Sequence, residues 1–229
     1  MAEERVLLIT GASTGIGAAT ARQAVERGWR VALGARSQDK LDELATELGE
    51  GNALAQRCDV TEWADQEAFV AATLERFGTV DAVFANAGFG AKRGFLEESP
   101  EQWRSMVLTN VLGCAYSIRA ALPHFKKQNS GHFLLTSSIA GRRALPGSLY
   151  SSTKWAVTGM GESLRQETAN TPIKVTLIEP GIVDTPFFDN PIGGGLQADD
   201  IARWVMHALH EPAHVDVNEI LIRPINQPI

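Results

Sequence analysis

Arg5-Val-Leu-Leu-Ile-Thr10-Gly-Ala-Ser-Thr-Gly-Ile-Gly17 sets an apolar run directly against a glycine-rich turn, and the reading of the whole chain starts there. Arg5–Thr10 is apolar almost throughout, as expected of a parallel strand covered on both faces. The turn reads T-G-x-x-x-G-x-G, and Gly15–Arg27 then carries helical spacing. A strand, a glycine turn and a helix start together offer free N–H groups and a backbone that a pyrophosphate can approach closely. A glycine turn alone is also a plain tight connection. Its place between the first strand and the first helix of a long alternating chain gives it weight.

The alternation continues outward. Arg30–Gly34 reads as a strand and Gln38–Leu48 as a helix, with Leu41, Leu44, Ala45 and Leu48 on one face. Leu54–Cys58 is a short strand, Thr61–Phe77 an amphipathic helix and Val80–Ala85 a fourth strand. Ser99-Pro100 opens a helix, with Ser as N-cap, Pro at the first position and Gln102 placed to complete a capping box. Helical signal runs on through Leu108–Lys127, with a break expected near Asn110. His132–Thr136 is a strand, Leu149–Thr168 a helix and Lys174–Ile178 a strand. Pro186–Leu196 is rich in Gly and Pro and reads as a mobile loop, before a helix at Asp199–His210 and a strand at Glu219–Ile222. No repeat or composition shift marks a boundary. The economical reading is one domain over residues 1–229: α/β, a doubly wound parallel sheet of about seven strands with helices on both faces.

A formal net charge of −6 opposes docking on nucleic acid or anionic lipid. Lys126–Lys127 and Arg142–Arg143 are pairs, not runs, and read as solvated surface. The acidic start shows no secretory h-region, and no stretch approaches the length of a bilayer span, so the chain is expected in the cytoplasm and off the membrane. Cys58 and Cys114, far apart and without a partner motif, read as reduced, half-buried residues.

Leu33-Gly-Ala-Arg-Ser37 ends the second strand. An NAD site usually presents an acid there to the ribose 2′-OH, whereas an Arg accommodates a 2′-phosphate. Here Ala35 replaces the acid and Arg36 and Ser37 follow, which favours NADP(H). Tyr150-Ser-Ser-Thr-Lys154 is Y-x-x-x-K on a helix, so phenol and ammonium share a face. A fixed positive charge lowers a tyrosine pKa and fits the phenol for proton exchange with a carbonyl oxygen. Alone the pattern is common by chance. Here Ser138 in Thr136-Ser-Ser-Ile-Ala-Gly141, Asn86 in Ala85-Asn-Ala-Gly88 and Thr185 in Glu179-Pro-Gly-Ile-Val-Asp-Thr185 also follow strands on one sheet edge.

With these motifs assembled, the chain resembles the short-chain dehydrogenase/reductase family, a Rossmann-type fold, from Thr10 to the end. The resemblance implies roles. Tyr150 would be the general acid/base and Ser138 would orient the substrate oxygen. Lys154 would bind the nicotinamide ribose and lower the Tyr150 pKa. Asn110 would hold a water linking Lys154 to solvent. Gly11, Ser13, Thr14, Gly15, Ile16 and Gly17 would cradle the pyrophosphate, with Arg36 and Ser37 at the 2′-phosphate. Asp59 and Val60 would contact the adenine. Asn86, Ala87 and Gly88 would line the cleft and stabilise the sheet. Pro180, Gly181, Val183 and Thr185 would fix the nicotinamide. Many members place the serine thirteen positions before the tyrosine. Ser138 lies twelve before Tyr150 and Ser137 thirteen; the following Ile-Ala-Gly141 favours Ser138 and leaves Ser137 as the alternative.

The family also implies a small carbonyl or alcohol substrate and a homo-oligomer, dimer or tetramer. The tail from His214 to Gln227 is similar to a bacterial subgroup acting on serine-like or 3-hydroxy acids, for which Lys92, Arg93, Arg142 and Arg143 are candidate cationic partners or simply surface charges. Phe187 and Phe188 are placed to cap an apolar substrate or to anchor their loop, and Phe89 has similar standing. Trp155 reads as packing. The five histidines, His207 and His210 included, read as surface or packing residues, without the ligand spacing of a metal site. A non-catalytic NADP(H)-sensing protein is the alternative function, which the presence of Asn110, Ser138, Tyr150 and Lys154 disfavours. A lyase-like relative acting on halohydrins is disfavoured by Gly11–Gly17 and Lys154.

Overall fold

The computed structural model describes residues 5–187 and 193–227. Its opening unit is β1 (Val6–Thr10), the glycine turn and α1 (Gly15–Glu26). There follow β2 (Arg30–Ala35), α2 (Gln38–Leu48), β3 (Ala53–Arg57), α3 (Trp63–Phe77) and β4 (Ala82–Ala85). The second half comprises α4 (Pro100–Val107), α5 (Gly113–Gln128), β5 (Gly131–Thr136), α6 (Leu149–Glu167) and β6 (Ile173–Pro180). The short β7 (Val183–Asp184) and β8 (Leu196–Gln197), then α7 (Ala198–His210) and β9 (Glu219–Ile222), complete it.

Seven strands form one parallel sheet in the order β3-β2-β1-β4-β5-β6-β9. The first three strands run outward one way and β4 returns to the other side of β1. The carboxyl ends of β1 and β4 therefore flank a topological switch point, where a crevice opens between diverging connections. Alternation along β1 explains its unbroken apolar run. Leu7 and Ile9 pack with α1, α2 and α7, while Leu8 packs on the opposite face with α3, α5 and α6. Gly34 in β2 is required by packing, since a Cβ there would lie 2.5 Å from the Phe69 ring of α3.

Several boundaries differ from the sequence reading for local reasons. Helix α3 starts at Trp63, not Thr61, because Asp59 Oδ1 accepts both the backbone N–H (3.0 Å) and the hydroxyl (2.8 Å) of Thr61 and holds a turn there. No break occurs near Asn110. Instead Leu108–Leu112 switches to i→i+5 bonding and joins α4 to α5, an insertion of the kind found at functional sites. The resulting helical run, Pro100–Gln128, has the length and apolarity of a bilayer span, but Ile118, Ala121 and Phe125 turn one side of it into the sheet core. The segment expected to be a loop throughout is tied at both ends by β7 pairing with β8. Phe188 lies outside the described residues. Trp155 is not a packing residue: it is 49% exposed. Cys58 and Cys114 are fully buried, which pushes both thiols up to about 12.

Candidate active site

A cleft of about 620 Å³ lies along the carboxyl edge of the sheet. Its floor at one end is the glycine turn. Gly11 has φ +67, and a Cβ there would sit 2.8 Å from the Ala87 Cα. Gly17 lies behind the lining, and a Cβ on it would run into the Gly11 carbonyl oxygen. Both positions thus require glycine, one for conformation and space and the other for space alone. Gly11, Ser13, Thr14, Gly15 and Ile16 face the cleft. The N-terminus of α1 carries no side-chain cap and no acid in its first turn, unlike α7, which has a capping box and Asp199 and Asp200. Its N–H groups and dipole are left for an anion, which fits a dinucleotide pyrophosphate.

Further along the same end are Arg36 and Ser37, both exposed, then Asp59 and Val60. Asn86 stitches three strands beneath the cleft. Its Nδ2 donates to the Thr10 and Gly11 carbonyls (both 3.3 Å), its N–H donates to Thr10 Oγ1 (3.1 Å), and its Oδ1 accepts from Thr136 Oγ1 (3.3 Å). Ala87 and Gly88 continue the wall. On the far side are Pro180, Gly181, Val183 and Thr185.

Tyr150 and Lys154 project from α6 into the middle of the cleft, with Lys154 Nζ 5.6 Å from the Tyr150 ring centroid. The Lys154 ammonium, 3% exposed as a residue, donates to the Thr136 carbonyl at 2.7 Å. Burial brings it down to about 8. Burial pushes the half-buried Tyr150 phenol up to about 12, opposed only by its hydrogen bond with Ser138. The sequence reading has Lys154 lower this pKa; here desolvation sets the direction and the Ser138 hydrogen bond acts against it.

The two candidate serines separate cleanly. Ser137 Oγ points into the protein, to the Lys154 carbonyl (3.1 Å) and Thr158 Oγ1 (2.8 Å). Ser138 Oγ accepts from Ala140 N (3.1 Å), donates to the Pro180 carbonyl (3.2 Å) and bonds Tyr150. Asn110 lies behind the lining. Its Oδ1 accepts the Phe89 N–H (3.0 Å), and its Nδ2 donates to the Phe89 carbonyl (2.9 Å) and Thr153 Oγ1 (3.1 Å). Both amide protons are used, so the Asn110 side chain braces Phe89 against α6.

Phe187 meets the Tyr150 ring edge-on at 5.7 Å and covers Gly90, so it borders the mouth beside the phenol. Leu145, Ile182 and Gln227 also line the cleft, though no motif marks them in the sequence. Gln227 reaches back from the tail to accept the Ile182 N–H at 2.8 Å, a contact that only the folded chain creates. Arg142 is not available to a substrate acid, since it is paired with Glu179 and Glu219, whereas Arg93 does line the cleft. His207 pairs with Glu211 at 3.3 Å, and His210 bonds the Met206 carbonyl at 2.6 Å.

The family model described as short chain dehydrogenase matches residues 5–191. An uncharacterised oxidoreductase of Staphylococcus haemolyticus is 43% identical, over 96% of this chain and 97% of its own. The alcohol dehydrogenase of the archaeon Thermococcus sibiricus, solved with 5-hydroxy-NADP, is 36% identical, with TM-score 0.92 and 99% of each chain covered. The serine dehydrogenase of Escherichia coli is 31% identical, with TM-score 0.90 and coverage of 98% of this chain and 100% of its own. Other solved relatives hold NADP+ or NAD. The chain belongs to the short-chain dehydrogenase/reductase family of oxidoreductases, whose members use nicotinamide cofactors.

Proposed function

We propose that this protein is an NADP(H)-dependent oxidoreductase acting on a carbonyl or secondary alcohol carbon of a small molecule. The observation that carries the proposal is the convergence of Tyr150, Ser138 and Lys154 on a cleft that also contains the uncapped start of α1. When bound, the nicotinamide supplies or accepts the hydride. The chain's own residues orient and move the proton. Tyr150, protonated at neutral pH, donates to the substrate oxygen in reduction and takes the proton back in oxidation. Ser138, its hydroxyl proton directed at Pro180, turns oxygen lone pairs toward Tyr150 and fixes the phenol. Lys154 would hold the ribose hydroxyls of the cofactor and adds positive charge near the developing phenolate. Gly11, Ser13, Thr14, Gly15 and Ile16 would hold the pyrophosphate, with Gly17 allowing the close turn behind them, Asp59 and Val60 the adenine, and Val183 and Thr185 the nicotinamide side.

The direct test is NADPH oxidation with keto esters, ketones, aldehydes, quinones and 3-oxo acids. Turnover of at least one class is expected. Tight NADPH binding with no turnover of any would replace the enzyme by a cofactor sensor.

Arg36 carries the choice of NADP over NAD, supported by Ala35 where an acid would stand. Charge-assisted bonds to a 2′-phosphate contribute about 1.5–3 kcal/mol. Arg36→Ala is therefore expected to weaken NADPH binding by about 10- to 100-fold while leaving NADH binding unchanged. Equal losses for both, or a native preference for NADH, would remove the NADP assignment.

We also read the protein as a cytoplasmic homo-oligomer. Its two cysteines are buried free thiols, and Trp155 of α6 and Val107 of α4 leave apolar surface exposed. A monomeric mass in sedimentation would remove the oligomer.

A further inference from the structure

Glu179 is a carboxylate at 1% exposure, placed where an apolar residue would cost far less. It is the penultimate residue of β6, directly before Pro180, whose carbonyl accepts the Ser138 hydroxyl. Its partner Arg142 closes the single 3₁₀ turn Ile139–Gly141 that Ser138 opens. The Arg142 Nε to Glu179 Oε1 distance is 2.7 Å, and a second guanidinium nitrogen binds Glu219 of β9, the strand beside β6. Burial raises the Glu179 carboxyl above its ordinary range, and Arg142 is the principal group acting against that rise. The turn is thus fastened to adjacent β6 residues at both ends, by Ser138 to Pro180 and by Arg142 to Glu179. On its other side it lies against α6. A Cβ on Gly141 would sit 2.5 Å from Ser137 Oγ and 2.8 Å from both the Lys154 carbonyl and Thr158 Oγ1.

We propose that Arg142 and Glu179 are positioning residues for Ser138, their ion pair holding the 138–142 turn so that the Ser138 hydroxyl stays directed at Pro180 and within reach of Tyr150. The proposal rests on the reading that Ser138 and Tyr150 act together. A guanidinium–carboxylate pair suits this task because it is directional where apolar packing is not. Neither residue touches the reacting atoms.

The test is a double-mutant cycle on kcat with a substrate found by the carbonyl screen, combined with amide exchange. Ser138→Ala is expected to lower kcat about 100-fold or more, in the range of a misplaced catalytic group, because the phenol loses the hydroxyl that fixes it. Arg142→Ala is expected to lower it about 10-fold, with NADPH affinity within twofold of the parent, and Arg142→Lys should recover part of the loss. The double variant should be no slower than Ser138→Ala alone, because the ion pair acts only through that hydroxyl. Exchange of the peptide covering residues 137–143 should rise in Arg142→Ala while that of α6 does not. Glu179→Gln, which keeps the shape and one acceptor, serves in place of Arg142→Ala if the latter does not fold, with the same non-additivity expected. Multiplying losses in the double variant, or an unchanged kcat in Arg142→Ala, would overturn the positioning role. Full activity in Ser138→Ala would instead overturn the reading of Ser138 itself.

Discussion

Tyr150→Phe is expected to lower kcat for carbonyl reduction by about a thousandfold or more, within the range general acid catalysis supplies, while NADPH affinity stays within twofold. The substitution removes one oxygen and keeps the ring, so the edge contact with Phe187 and the start of α6 are retained. Only the proton donor and its bond to Ser138 are lost. The sign of the pH dependence follows from the same group. Burial raises the phenol to about 12, so the protonated form prevails at neutrality. Reduction needs that form and should fall on the alkaline side, whereas oxidation needs the deprotonated form and should rise there. A Tyr150→Phe variant with near-normal kcat, or a reduction rate that climbs with pH, would contradict the assignment.

Lys154→Met is expected to cost at least about 100-fold in kcat and yet to raise the stability of the fold at pH 7. The ammonium is buried, and its pKa is brought from 10.5 to about 8 by desolvation, so the folded state binds the proton less well than the unfolded chain does. This destabilisation is fully present below pH 8. It fades as pH rises from 8 toward 10.5, where the unfolded chain carries more protons than the folded one. The shift sets an upper limit of about 3 kcal/mol, less about 1 kcal/mol for the lost hydrogen bond to Thr136. The remaining gain of about 2 kcal/mol corresponds to a rise in Tm of about 4–8 °C for a chain of this size. Chemical denaturation of both proteins at pH 7 and pH 10.5 tests it. The variant should be the more stable at the lower pH, with the difference shrinking at the higher; a less stable variant at pH 7 would refute the argument. Under the proposed function, such a residue would be kept for chemistry at the expense of stability.

Much of this molecule was legible in its sequence. The apolar run at Val6–Thr10, the glycine turn and the regular alternation determined a parallel sheet with helices on both faces, because an all-buried strand and a 3.6-residue period leave direct marks on residue order. Much of the cleft lining between Gly11 and Thr185 was also readable, since the motif residues sit at fixed offsets after strands that share one edge of such a sheet, and Tyr150 and Lys154 share one face of a helix. Gly17 and Asn110 carried the same signal yet lie behind the lining, because spacing places a residue near an edge without saying which way it faces.

Other features were decided by packing between segments distant in the chain. The separation of Ser138 from Ser137 depends on where β6 and α6 lie relative to one turn: one hydroxyl finds Pro180 and Tyr150, its neighbour finds Lys154 and Thr158. The exposure of Trp155, the return of Gln227 beneath Ile182 and the capture of Arg142 by two glutamates have the same origin. The raised phenol of Tyr150 is of this kind too. A sequence shows that a lysine lies four residues on, but desolvation depends on everything that closes around the pair. The sequence by itself determined the fold and the neighbourhood of the chemistry, because periodicity and glycine placement act locally. Only the tertiary structure decided which side chains face the cleft and in what state of charge, because burial is a property of the whole assembled chain.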